Sequence, residues 1–330
     1  MFNENGNDAT NERHLIGGNT TGIANLNSVK YQWASKLYKV MLNNHWIPEK
    51  ISLVEDKTTI KELTEDEMIA FKNTLSFLVA LDSMQTAALP KLSAYITAPE
   101  VSALFTLQEF QELIHSQSYQ YLLQELFPST EREEIYDYWR KNPLLLKRNK
   151  SISGKYQSFA DNPTKETFKQ AIASDFALEG IYFYNGFNFF YQLASRNKVS
   201  EVAKMIKYIS EDEATHVAMM THIIKELFDV ENESDRKILI DTLTEAVEQE
   251  IQWGHEIYGD RILGMSKKST EQYVKFLANK RAKSVGLGIL YKGFSKDPYE
   301  YLDTEKRENF FETAVTEYSQ SSAVTGWDDF

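Results

Sequence analysis

Only 7 prolines and 14 glycines punctuate the 330 residues, and the stretches between them carry apolar residues at three- and four-residue spacing, the period of a helix that buries one face. The chain is therefore expected to be all-α. A Thr64-Glu-Asp-Glu67 capping box opens a segment that runs to about Leu89 and closes at Pro90, with Met68, Phe71, Leu75, Leu78 and Leu81 on one stripe. A second long segment begins at Pro99-Glu100 and continues through Phe105, Phe110, Ile114 and Leu122 to Phe127-Pro128. Thr130 to Glu133 reads as another capping box, starting a shorter helix that must break before Pro143, and residues 150–163 read as a connection. Lys165 to about Ala194 is apolar on more than one side, as a helix buried in the middle of a bundle is. Further helix is expected over about Ser200–Phe228, from near Ser234 past Trp253, and over about Thr270–Leu287. Long helices joined by short loops specify a large bundle.

Three limits follow from composition. Hydrophobic residues at 42% and charged residues at 25% describe a globular, soluble chain. Met1 to Leu26 is rich in Asn, Gly and Thr, lacks the apolar core of a secretory signal, and is expected to be flexible. No window reaches the roughly 18 to 20 uninterrupted apolar residues of a membrane span, so no membrane association and a cytoplasmic location are expected. There is no cysteine, which removes disulfides, thiolate metal sites and cysteine nucleophiles from this chain. The net charge of −12 offers no basic footprint for nucleic acid. Acidic residues can, however, be hard metal ligands.

Two of the six histidines stand in Glu-x-x-His steps, Glu112-Leu-Ile-His115 and Glu213-Ala-Thr-His216, on separate long helices. Residues three apart share a helix face, so each step aims a carboxylate and an imidazole at one point. Di-iron and di-manganese carboxylate bundles are built from two such steps and one further acid on each of two other helices. Asp82 and Glu179, each among apolar residues on its own long helix, are candidates for those acids, because an isolated buried carboxylate is too costly to be incidental. One step alone arises easily by chance in a chain this rich in Glu; the specificity lies in the set. Four carboxylates and two imidazoles suit iron or manganese better than zinc or copper.

With these motifs in place, the sequence resembles the small, radical-generating subunit of class I ribonucleotide reductase over nearly its full length. The resemblance rests on Leu81-Asp-Ser-Met-Gln85, Glu112-Leu-Ile-His-Ser-Gln-Ser-Tyr119 and Asp212-Glu-Ala-Thr-His216, with Ala177-Leu-Glu-Gly-Ile-Tyr-Phe183 in support. It implies a ferritin-like bundle holding two iron or manganese ions, one at Asp82, Glu112 and His115 and the other at Glu179, Glu213 and His216, with Glu112 and Glu213 available to bridge. Tyr119 would be the residue oxidised to a stable phenoxyl radical, sheltered by Phe183, Phe187 and Ile209. Trp46 would connect through Asp212 to His115, and Tyr318 would relay the oxidant from the tail. Trp327 and Phe330 would anchor that tail on the large subunit, where ribonucleoside diphosphates are reduced. A homodimer is implied, with a flavoprotein activase as an optional further partner. Gln108 and Thr86 differ from the best-known forms, which leaves the subclass open. Residues 27–310 would form the ferritin-like domain and residues 311–330 the docking tail.

Other readings of the same residues stay open at this stage. Tyr119 could be a core tyrosine with a satisfied hydroxyl, Trp46 an anchor for the N-terminal segment, and the tail a frayed end. The competing functions are a di-metal ligand-binding oxidase of the same fold, a ferritin-like metal store, and a metal-free helical interaction protein.

Overall fold

The computed structural model describes residues 2–27 and 29–305. Twelve α-helices are described: α1 Gln32–Asn43, α2 Asp56–Thr59, α3 Glu65–Tyr95, α4 Pro99–Leu126, α5 Ser129–Lys141, α6 Pro143–Asp161, α7 Lys165–Ala177, α8 Tyr184–Ala194, α9 Ser200–Leu227, α10 Glu233–Ile257, α11 Lys267–Ser284 and α12 Glu300–Glu305. A π-helical turn, Leu178–Tyr182, separates α7 from α8. No described helix is long and apolar enough to cross a membrane. The all-helical class expected from the spacing, and the ferritin-like bundle implied by the resemblance, are what is observed.

Helices α3, α4 and α9 and the α7–α8 rod form the centre, with α3 along α4, α4 along α9, and α9 along the rod. Helix α3 starts as expected: the Thr64 side chain accepts the Glu67 amide, and the Glu67 carboxylate accepts the Thr64 amide. The rod is apolar all round because it is buried all round, from Phe168 to Ala194.

Several boundaries differ from expectation. Helix α3 does not stop at Pro90; it runs on to Tyr95. Pro90 sits on the exposed face, where water can serve the carbonyl freed by the missing N–H, while Leu89 and Leu92 stay buried. Helix α5 begins at Ser129 with no side-chain cap, not at a Thr130 box. Residues 150–163 are no connection: they lie mostly in α6, which Pro143 initiates and Asn142 caps by accepting the Leu144 and Leu145 amides. Leu145, Ile152, Tyr156 and Phe159 form its buried stripe, diluted in the sequence by Lys, Ser and Gly. The N-terminal segment expected to be flexible makes specific contacts: Arg13 pairs with Glu100 at 3.0 Å with both buried, and Ile16 bridges Ile96.

Candidate metal centre

Each long central helix brings polar side chains to one buried point. Asp82 comes from α3, Glu112 and His115 from α4, Glu179 from the π turn, and Glu213 and His216 from α9; all six are fully buried. Ligand atoms of Asp82, Glu112, His115 and Glu213 lie within 4.8 Å of one another, and so do those of Glu112, Glu179, Glu213 and His216. Glu112 and Glu213 thus belong to both groups. The π turn contributes here, since widening the helix by one residue changes the direction in which Glu179 leaves it.

Both imidazoles present Nδ1 to the carboxylates. His115 Nδ1 is 3.4 Å from Glu112 and 3.3 Å from Glu213; His216 Nδ1 is 2.7 Å from Glu213, 3.3 Å from Glu112 and 3.4 Å from Glu179. The outward nitrogens are fixed by acceptors. His115 Nε2 faces Asp212 Oδ2 at 3.2 Å, and His216 Nε2 faces Gln111 Oε1 at 3.0 Å. Assigning the protons to Nε2 on the strength of those acceptors leaves both Nδ1 lone pairs for a cation.

Asp212 links this shell to Trp46 and Gln111. Its Oδ2 accepts the Trp46 indole N–H at 3.0 Å, and its Oδ1 accepts Gln111 Nε2 at 2.7 Å. Trp46 is itself buried, in the loop after α1. On the opposite side, Gln108 Nε2 donates to Glu179 Oε1 at 2.6 Å, and Gln85 donates to the same oxygen. Gln85 also lies 3.5 Å from Asp175; of these residues the sequence marked Gln108 alone, as a departure from the best-known forms, and gave no role to Gln85, Gln108, Gln111 or Asp175. The available signal was their spacing, three or four residues from Asp82, Glu112, His115 and Glu179 respectively, which places them on the same buried face.

The electrostatics of this cluster are those of a site built for cations. Burial, and then the Glu112 charge, pushes the Asp82 carboxyl well above its ordinary value; burial, and then the Glu213 charge, does the same to Glu179. Burial opposes ionisation of Glu213 too, but His115 and His216 beside it hold its carboxyl below the usual range. Burial would lower both histidines, yet the Glu213 charge at His115 and the Glu179 charge at His216 raise them well above the ordinary value. Both oxygens of Asp82 and of Glu112, Glu179 Oε2, Glu213 Oε1 and His115 Nδ1 have no hydrogen-bond partner. Orphaned buried acceptors carry a desolvation penalty that two divalent cations would remove. Four carboxylates supply the four negative charges that two such ions need, and the oxygen-rich donor set fits iron or manganese.

Tyr119, one turn beyond His115 on α4, is fully buried, and its hydroxyl faces the Asp82 carboxylate. Burial, and then the Asp82 charge, pushes its pKa well above 10. Phe183, Phe187 and Ile209 are buried in the same apolar core, the two phenylalanine rings stacked at 5.8 Å. Tyr318, Trp327 and Phe330 lie outside the described residues.

Residues 23–298 match the model of the family described as ribonucleotide reductase, small chain. The chain is 38% identical, over 98% of its length and 95% of that protein, to the ribonucleoside-diphosphate reductase subunit beta of Treponema pallidum. Among solved structures, it is similar to the ribonucleotide reductase R2 subunit from Clostridium botulinum, with 43% identity, 92% of this chain and 96% of that one covered, and a TM-score of 0.86. It shares its fold with the dimanganese(II) form of NrdF from Streptococcus sanguinis, at 24% identity and a TM-score of 0.72, covering 81% of this chain and 93% of that one.

Proposed function

The chain belongs to the ribonucleotide reductase small-chain family, as an oxidoreductase subunit, and from that premise we propose that it generates and stores a one-electron oxidant and passes it to the large subunit, which reduces ribonucleotides to deoxyribonucleotides. The observation that carries this reading is the convergence of four carboxylates and two Nδ1 atoms on one buried point, most of them without a hydrogen-bond partner. Asp82, Glu112 and His115 would hold one ion and Glu179, Glu213 and His216 the other, with Glu112 and Glu213 bridging. A bound iron or manganese pair would supply the redox chemistry that no side chain here can.

The remaining roles belong to the chain's own residues. Tyr119 would store the oxidising equivalent by giving one electron to the bound metal pair and its phenolic proton to the Asp82 carboxylate beside it. Its raised pKa keeps it a neutral phenol until then, and its burial keeps water and reductants from the radical. Phe183, Phe187 and Ile209 supply apolar surface for that shelter. Trp46 is the exit toward the large subunit: loss of an electron acidifies the indole N–H, and Asp212 Oδ2 at 3.0 Å is placed to hold that proton. Asp212 at the same time orients His115. Beyond Trp46 the route would use Tyr318, with Trp327 and Phe330 anchoring the 311–330 tail, while residues 27–310 form the ferritin-like body. Chains are proposed to pair, since α1 and α4 pack together and leave Val40, Leu42, Phe110 and Leu113 exposed.

A ligand-binding oxidase of this fold would need a cavity that reaches the centre. A cavity of about 790 Å³ lies between α8, α9 and α11, with Tyr184, Phe187 and Tyr273 in its wall, and none of the six candidate ligands lines it. Elemental analysis of the purified chain tests the centre. About two iron or manganese ions per chain are expected in the wild type and fewer than one in Glu213→Ala, which removes a group shared by both sites; a wild-type chain without metal contradicts the reading.

A further inference from the structure

The π turn that carries Glu179 receives a hydrogen bond from outside the ligand set. A π turn displaces a backbone carbonyl from the regular helical ladder, and a buried carbonyl needs a donor. Arg281, on α11, provides one: its Nε donates to the Gly180 carbonyl at 2.9 Å, inside the protein. Its guanidinium also lies 5.1 Å from the ring centre of Tyr184, the first residue of α8, so one side chain spans both the turn and the helix that follows.

Gly180 is what lets Arg281 come this close. Its φ is not in the left-handed region, so glycine is not required here for backbone freedom. A Cβ at this position would stand 2.8 Å from Arg281 Nε, 3.0 Å from Cδ and 3.1 Å from Cγ. The first is shorter than real carbon contacts and the other two are tighter than most, so a side chain at 180 requires the arginine to shift. The other side of the turn is tied down as well: the Tyr182 hydroxyl donates to Gln249 Oε1 at 2.9 Å, and its ring centre lies 5.3 Å from the Arg148 guanidinium.

We propose that the Arg281–Gly180 contact is a positioning device that fixes the π turn so that Glu179 faces Glu213 and His216, and that it sets the affinity of that half of the centre alone. It rests on the metal reading above. Asp82, Glu112 and His115 stand on α3 and α4, which Arg281 does not touch through any of these bonds, so their half should be indifferent to it.

The test is a Mn(II) titration of the full-length, metal-free chain, counting free aquo ion by electron paramagnetic resonance and following each site with Co(II) electronic absorption. Wild type should take two ions. Arg281→Met should take the first with wild-type affinity and the second at least about tenfold more weakly. Gly180→Ala, which keeps the guanidinium but displaces it, should do the same, and Arg281→Lys should recover part of the loss. The Gly180→Ala chain is the reading to use if Arg281→Met does not fold. Wild-type binding of both ions in both variants overturns the proposal, as does equal weakening of the two, which would mark a merely structural contact. A wild-type chain that takes no metal would instead overturn the reading on which the proposal rests.

Discussion

Asp212 serves three neighbours with two oxygens: Oδ2 accepts both the Trp46 indole and His115 Nε2, and Oδ1 accepts Gln111, which in turn contacts His216 Nε2. One carboxylate therefore orients both imidazoles, one directly and one through an amide. Asp212→Asn keeps the shape but replaces an acceptor oxygen with a donor, so one of these contacts must break. The variant is expected to keep about two metals per chain while ribonucleotide reduction with the large subunit falls by about 10–100-fold, the usual cost of losing a group behind a metal-bound histidine. Turnover at the wild-type rate would remove Asp212 from the route. At this scale the sequence made the carboxylate and histidine set legible because each member repeats at helical spacing and acids buried among apolar residues demand an explanation. The contacts of Gln85, Gln108 and Gln111 stayed hidden because amides are ordinary on exposed helix faces, and only their burial against the ligand set reveals them.

Between α6 and α10 the bundle is joined by a buried ion pair, Arg148 with Glu250, whose guanidinium also sits 3.8 Å from the Phe77 ring centre. Burial outweighs the Arg148 charge and pushes the Glu250 carboxyl from 4.5 up to about 7. The folded chain thus holds this proton more tightly than the unfolded one. The contribution is fully present below about pH 4.5 and is lost as pH rises through about 7, a change of roughly 3 kcal/mol. Glu250→Gln removes it, so the stability of the variant, followed by thermal unfolding from about pH 5 to 8, should vary less with pH than that of the wild type. Parallel pH profiles would contradict the assignment. The long central helices were legible from periodicity, but α1 and α6 were missed, and a proline misled at one boundary. Pro90 was read as a stop and is carried on an exposed face; the break expected before Pro143 is present, since α5 ends at Lys141, but the helix that Pro143 starts was not read. The π turn had no sequence signal, since Leu178 to Tyr182 continue the apolar run of the helix on both sides.

For the whole molecule, the bundle and its dinuclear candidate site follow from the same pattern, because a ligand set spread over α3, α4, the π turn and α9 exists only when those four pack together. The proposed pairing of chains comes only from the family resemblance: Phe110 and Leu113 belong to a helix whose other face is buried, and a stripe pattern does not distinguish a subunit contact from a core contact. Phe110→Glu combined with Leu113→Glu should shift the sedimenting mass from two chains to one while leaving the metal content unchanged; a double variant that stays dimeric would place the contact elsewhere. The central claim is that a metal centre built from six buried side chains oxidises a neighbouring tyrosine, and electron paramagnetic resonance of the metal-loaded, oxidised chain tests it most directly. About two metals per chain are expected, with a tyrosyl signal that disappears in Tyr119→Phe. A tyrosyl signal that persists in Tyr119→Phe would contradict the assignment of the radical to this residue, and a chain with no bound metal would contradict the centre itself.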